Sequence, residues 1–220
     1  MKSKNLKITI ANIFTILFIV VFPHLELISF FSMLYTIPVI LLVWLCLKVN
    51  NETFKSIGFN LNSIGLKPLL IGSISAILIL LFMRTVFFPV LEYFIRFKEV
   101  DVDLYNDLRS NSTTYYVLIV ILGWIVGGLY ESIVFHAFTF TQLEKLIGGK
   151  YKTLISFMIT SILFGLYHYQ LGTADTINAL IVGTGYLGLF LFYKRNLWYT
   201  IFCHGAYNTI VITLIHLSYI

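Results

Sequence analysis

Residues 115–140 read YYVLIVILGWIVGGLYESIVFHAFTF, and apart from tyrosine their only ionisable side chains are Glu131 and His136. A bilayer crossing takes about 20 mostly apolar residues. Lipid offers no partner to an open backbone N–H or C=O, so such a run predicts a membrane-spanning helix. A carboxyl held in hydrocarbon costs about 2.5 kcal/mol or more. Glu131 is therefore expected to face protein, and this one stretch indicates both the fold class and where the chemistry lies.

Six further apolar runs flank it, and the full set lies near 8–23, 27–47, 68–89, 115–139, 152–169, 176–193 and 197–217. The expected fold is all-α, a polytopic membrane helix bundle of about seven transmembrane helices. Two parts are expected: residues 1–112, with three helices and their connectors, and residues 113–220, a four-helix core carrying the motifs. Of the 220 residues 59% are hydrophobic and 11% charged, with a mean hydropathy of +0.90. That is more apolar surface than a soluble domain of this size hides.

Fifteen Lys and Arg against ten Asp and Glu give a net charge of +5, but the basic residues sit between apolar runs and form no block. This argues against a nucleic-acid partner and for charges that orient a chain in lipid. With the N-terminus cytoplasmic, eleven basic residues fall in inside segments, among them Lys48, Lys145, Lys152 and Arg195. Four fall outside (Arg84, Arg96, Lys98 and Arg109). The outer connector 92–109 also carries an acidic excess through Glu92, Glu99, Asp101, Asp103 and Asp107.

The basic start MKSKNLK leads into an apolar stretch with no small-x-small site after it, which predicts an uncleaved first helix. Cys46 and Cys203 fall inside apolar runs and are expected as small core residues without a disulfide. TFTQLEKLIGGKYKT, residues 139–153, predicts a helical continuation of the fourth run that ends as an amphipathic piece at the cytoplasmic surface.

Strongly polar side chains in the last four runs are few: Glu131, His136, His168, His204, Asn208 and His216. His204 and Asn208 are four apart and share a helix face, as do Phe164 and His168. Glu131 and His136 are five apart, about 140° around an α-helix, and share an interface only loosely. Gly127, Gly128, Gly165, Gly205 and Ala206 lie beside these groups, and small residues let membrane helices approach closely. Taken singly, each histidine fits a bond to a backbone carbonyl, Asn208 fits interhelical glue and Ser132 a bond to its own helix. Together they suggest a site.

The segments ESIVFHAF (131–138), FGLYH (164–168) and HGAYN (204–208) resemble the three hallmarks of the CPBP family, the CAAX protease and bacteriocin-processing intramembrane proteases, also called Abi. Those hallmarks are EExxxR, FxxxH and HxxxN, each on its own transmembrane helix. The second and third stand intact. In the first, Glu131 falls on the first Glu, Ser132 on the second, Phe135 on the Phe and His136 on the Arg. Losing the second Glu together with the Arg avoids an unpaired buried charge. Ser132 and His136 can at most share a neutral hydrogen bond, and His136 offers a replacement donor.

The resemblance covers about residues 113–217 and implies an intramembrane endopeptidase of a bacterial plasma membrane. Glu131 would be the general base acting on water, His168 its partner, and His204 with Asn208 the donors to the developing oxyanion. No cofactor is implied, although Glu131, His168 and His204 leave open a zinc site. The implied partners are a peptide precursor or membrane-protein substrate and the bilayer itself. The alternative is a catalytically impaired member serving as a bacteriocin immunity factor or the regulatory partner of another membrane protein. A proton-linked small transporter finds less support, because no internal repeat or broken-helix pair is visible. Counting about 1.5 Å per residue places Glu131, His204 and Asn208 in the cytoplasmic half and His168 nearer the outer side. A cavity open to the cytoplasm is expected.

Overall fold

The computed structural model describes residues 2–25, 34–95, 106 and 108–219. It is 86% helical, with no strand among the described residues. The principal helices are α1 (Lys2–Val21), α2 (Thr36–Val49), α3 (Leu66–Phe94), α4 (Ser112–Ile147), α5 (Lys152–Tyr167), α6 (Thr173–Phe192) and α7 (Leu197–His216). Each apolar run of the sequence thus became a helix. The first part of the second run lies outside the described residues, as do Arg96, Lys98, Glu99, Asp101, Asp103 and Asp107 of the outer connector.

The stretches Leu6–His24, Leu66–Phe94, Ser112–Ile147 and Thr173–Phe192 are long and apolar enough to cross a membrane, while α2 and α5 are apolar but shorter. In α7 the polar residues His204 and Asn208 dilute an otherwise apolar 20-residue helix. Leu6, Ile10, Phe14 and Leu17 on α1, and Ile74, Leu78 and Leu81 on α3, recur at helical spacing yet are exposed. In water that stripe would be costly, but in lipid it matches the solvent, and the chain is an all-α membrane helix bundle.

Two stretches, Met83–Phe87 in α3 and Ile119–Thr139 in α4, are wound more widely, with i→i+5 bonds. A side chain reports the same winding. Thr139 Oγ1 donates to the carbonyl of Val134, five residues back, at 2.8 Å. Thr184 and Thr209, in ordinary α-helix, bond four back to Leu180 and Gly205. Such winding is rare and recurs at functional sites.

The chain divides into two compact units, residues 1–64 with 130–197 and residues 65–129 with 198–220. In the first unit, segments 50–64, 141–153 and 193–197 converge at one end. Glu52 pairs with Lys145 and accepts from Gln142 Nε2 at 2.8 Å. Glu144, only 4% exposed, accepts from Thr153 Oγ1 at 2.6 Å and pairs with Arg195 at 2.8 Å. The Leu197 N–H donates to Gly58 O at 3.2 Å. These are the connectors expected inside, and they share one basic end. Deeper in this unit, Asn12 accepts from Cys46 Sγ at 3.1 Å and from Asn50 Nδ2 at 2.8 Å. Cys46 and Cys203 are both buried and free.

The second unit holds α3, α4 up to Leu129, and α7 from Trp198. A Cβ at Gly128 would stand 3.3 Å from Gly205 Cα, and Trp124 lies over Gly205. The small residues therefore mark a close helix approach. His216 stacks on Tyr115 at 4.3 Å and bonds the Leu108 carbonyl at 2.7 Å, which gives it an anchoring role at the end of α7.

Candidate functional site

α5 stops at Tyr167, and His168 stands at its C-cap. The last carbonyls of a helix have no partner within it. His168 supplies one, its Nδ1 lying 2.9 Å from Phe164 O. A carbonyl only accepts, so Nδ1 carries the proton and a neutral ring keeps its lone pair at Nε2. That Nε2 lies 3.9 Å from Glu131 Oε2. The gap exceeds a direct hydrogen bond and is short enough for one water to bond both atoms. Glu131 is 6% exposed.

Phe164 organises this corner. Its buried ring meets Phe135 at 5.2 Å, His136 at 5.0 Å and His168 at 4.8 Å. A Cβ on Gly183 would run into the Phe164 ring, so α6 presents glycine there. The aromatic of the Phe164–His168 pair thus fixes the ring plane of the histidine while the peptide carbonyl of the same residue fixes its tautomer.

His136 lies between aromatic neighbours, with Tyr186 5.7 Å away on its other flank. Ser132 and His136, which could at most share a neutral hydrogen bond, do not form one. Ser132 is fully buried and its Oγ has no hydrogen-bond partner.

Sequence reasoning missed a ring of phenols. Tyr35 and Tyr167 share a hydrogen bond through their hydroxyls, and Tyr130 meets Tyr35 edge-on at 5.9 Å. Glu131 is within electrostatic reach of all three. Asp175, in the first turn of α6, lies within electrostatic reach of His168. The available signal was local: a tyrosine directly precedes both the acid and the histidine, in Tyr130-Glu131 and Tyr167-His168.

The helical continuation expected after residue 139 runs to Ile147, so Glu131 sits 16 residues from the C-terminal end of α4. Glu131, His168 and Tyr35 gather where α5 ends and α2 begins, the end of the first unit opposite its basic connectors.

His204 and Asn208 belong to the second unit, on one face of α7. Both point at the backbone of α4. A Cβ on Gly127 would collide with the Asn208 side-chain nitrogen and stand 3.1 Å from His204 Nε2. Each unit therefore holds one half of the expected residue set. Among the described residues no group of three or more His, Cys, Asp or Glu is placed to hold a metal ion.

Residues 113–210 match the family model described as type II CAAX prenyl endopeptidase Rce1-like. An uncharacterised protein of Mycoplasma capricolum subsp. capricolum is 32% identical over 102 residues, 46% of this chain. The chain spans 28% of that relative's length. No solved structure matches the chain.

Proposed function

We infer, from the membership of residues 113–210 in the CPBP family of CAAX-type intramembrane proteases, that the chain is an endopeptidase acting on a peptide precursor or membrane protein. The observation that carries this reading is the buried Glu131 facing His168 Nε2 at 3.9 Å. Glu131 takes a proton from water as its oxygen adds to the scissile carbonyl, and His168 orients that water. Collapse of the tetrahedral intermediate breaks the C–N bond and passes the proton to the leaving amine. By resemblance, His204 and Asn208 donate to the oxyanion, where each donor is worth about 3 kcal/mol. The orientation proposed is a bacterial plasma membrane protein with a cytoplasmic N-terminus, resting on the basic connectors and the family.

The test is cleavage by the full chain in liposomes of two quenched reporters, a farnesylated CAAX peptide and an unprenylated hydrophobic precursor peptide. Glu131→Gln and His168→Ala are each expected to reduce cleavage by at least about 100-fold with normal expression and unfolding. Wild-type rates in either variant would sink the mechanism.

A second reading is favoured by the unpartnered Ser132 and the aromatic enclosure of His136. In it the chain is a catalytically impaired immunity factor or regulatory partner. A cellular phenotype that survives combined Glu131→Gln and His168→Ala substitution would establish it over catalysis.

A further inference from the structure

We propose that the basic end of the first unit is a docking surface for anionic phospholipid headgroups. Its acids are consumed internally: Glu52 by Lys145 and Gln142, Glu144 by Arg195 and Thr153. Five lysines on the same connectors and helix ends, Lys48, Lys55, Lys150, Lys152 and Lys194, are exposed. Among the described residues, none of the five is ion-paired. The end therefore presents cations outward with no exposed acid beside them.

Backbone geometry enforces the sorting. Lys194 and Arg195 are consecutive left-handed residues, with φ of 53° and 63°, a conformation that costs a non-glycine residue about 1 kcal/mol or more. The turn is held by the Arg195–Glu144 pair, by Arg195 lying 5.4 Å over the Phe140 ring, and by the Leu197 N–H to Gly58 O bond. Its result is that Arg195 reaches the buried Glu144 while the exposed Lys194 has no ion-pair partner among the described residues.

Two lysines carry a depth marker. Lys48 Nζ lies 3.9 Å over the ring of Trp44, and Lys150 Nζ lies 5.5 Å from the ring of Tyr151. Trp44 and Tyr151 are themselves exposed, and exposed Trp and Tyr at helix ends settle at headgroup level. Ammonium groups held on those rings meet lipid phosphates, which attract each nearby lysine over a Debye length. The partner is therefore a phospholipid bearing net negative charge, in the leaflet that the connectors face.

The experiment delipidates the full chain from nanodiscs made of equal parts phosphatidylglycerol and phosphatidylcholine, and reads retained lipid by native mass spectrometry. Wild type is expected to retain phosphatidylglycerol about tenfold over phosphatidylcholine, with the preference falling as salt rises. Combined K48Q, K55Q, K150Q, K152Q and K194Q is expected to bring the ratio to parity. Its unfolding midpoint in pure phosphatidylcholine should stay at the wild-type value. The matching set of five Lys→Arg substitutions should keep the preference. Equal retention of both lipids by wild type, an undiminished preference in the Gln set, or loss in the Arg set would each overturn the proposal. Displacement of the lipid by millimolar inorganic phosphate would reassign the surface to free anions and overturn it too. None of these readouts depends on peptide cleavage.

Discussion

Glu131 and His168 face each other across the α4–α5 hairpin at equal chain distance from its turn, 17 residues before Gly148 and 17 after Tyr151. Phe135 and Phe164 meet in the same register, each 13 residues from those positions. The turn is built for such pairing, with Gly148 and Gly149 both left-handed at φ of 62° and 72°. Register in this hairpin, more than any single contact, sets the acid beside the histidine.

Phe164 is the first place where that register can be tested. Phe164→Ala removes a buried ring touching three aromatic neighbours, and about 3–5 kcal/mol of stability should go with it. Gly183→Ala forces the same ring aside and should cost about 1–3 kcal/mol. Because the two sites share one volume, Phe164→Leu with Gly183→Ala should cost less than the sum of the single changes. Unfolding of the purified chain in mixed micelles measures all of these.

The phenol pair gives a second expectation. Tyr35→Phe and Tyr167→Phe each remove one hydroxyl of a shared bond and leave the other without that partner, at about 1 kcal/mol. The double substitution should cost little more than either alone. A fully additive double mutant in the same unfolding assay would mean that the hydroxyls do not interact.

At the basic end, Arg195→Ala leaves the buried Glu144 carboxylate without its cation and should destabilise by about 1–3 kcal/mol. Adding Glu144→Gln removes the stranded charge, so the double variant should be more stable than Arg195→Ala alone. Thermal unfolding in detergent reads the order of the three proteins.

Gly127→Ala separates folding from chemistry in the second unit. The new methyl meets Asn208 and His204, so it should displace the two proposed oxyanion donors. Cleavage of the reporter peptides should fall about tenfold or more with little change in KM. A variant with intact turnover would remove His204 and Asn208 from the proposed machinery.

Much of the fold was legible because lipid imposes one rule, internal satisfaction of the backbone, and the apolar runs obey it. The bounds 152–169, 176–193 and 197–217 fall close to α5, α6 and α7. Thr141, Gln142 and Glu144 look interfacial in sequence. In the structure they are buried, and Gln142 and Glu144 bond to other connectors. Within each unit, the Phe164–His168 and the His204–Asn208 pair obey α-helical spacing and could be read directly. The neighbours of Glu131 could not, because its helix does not follow that spacing and Tyr35 comes from a distant helix.

The wide winding of α4 alters what a repair of the first motif would do. In an ordinary helix, an arginine restored at position 136 would lie one turn above position 132 and await an acid there. With i→i+5 winding, positions 131 and 132 both lie within one turn of it, one to each side. A guanidinium placed at 136 would then compete with His168 for Glu131 and lock the carboxylate as an ion pair. The imidazole found there sits between the rings of Phe164 and Tyr186, so an arginine at 136 would also have to displace that aromatic packing.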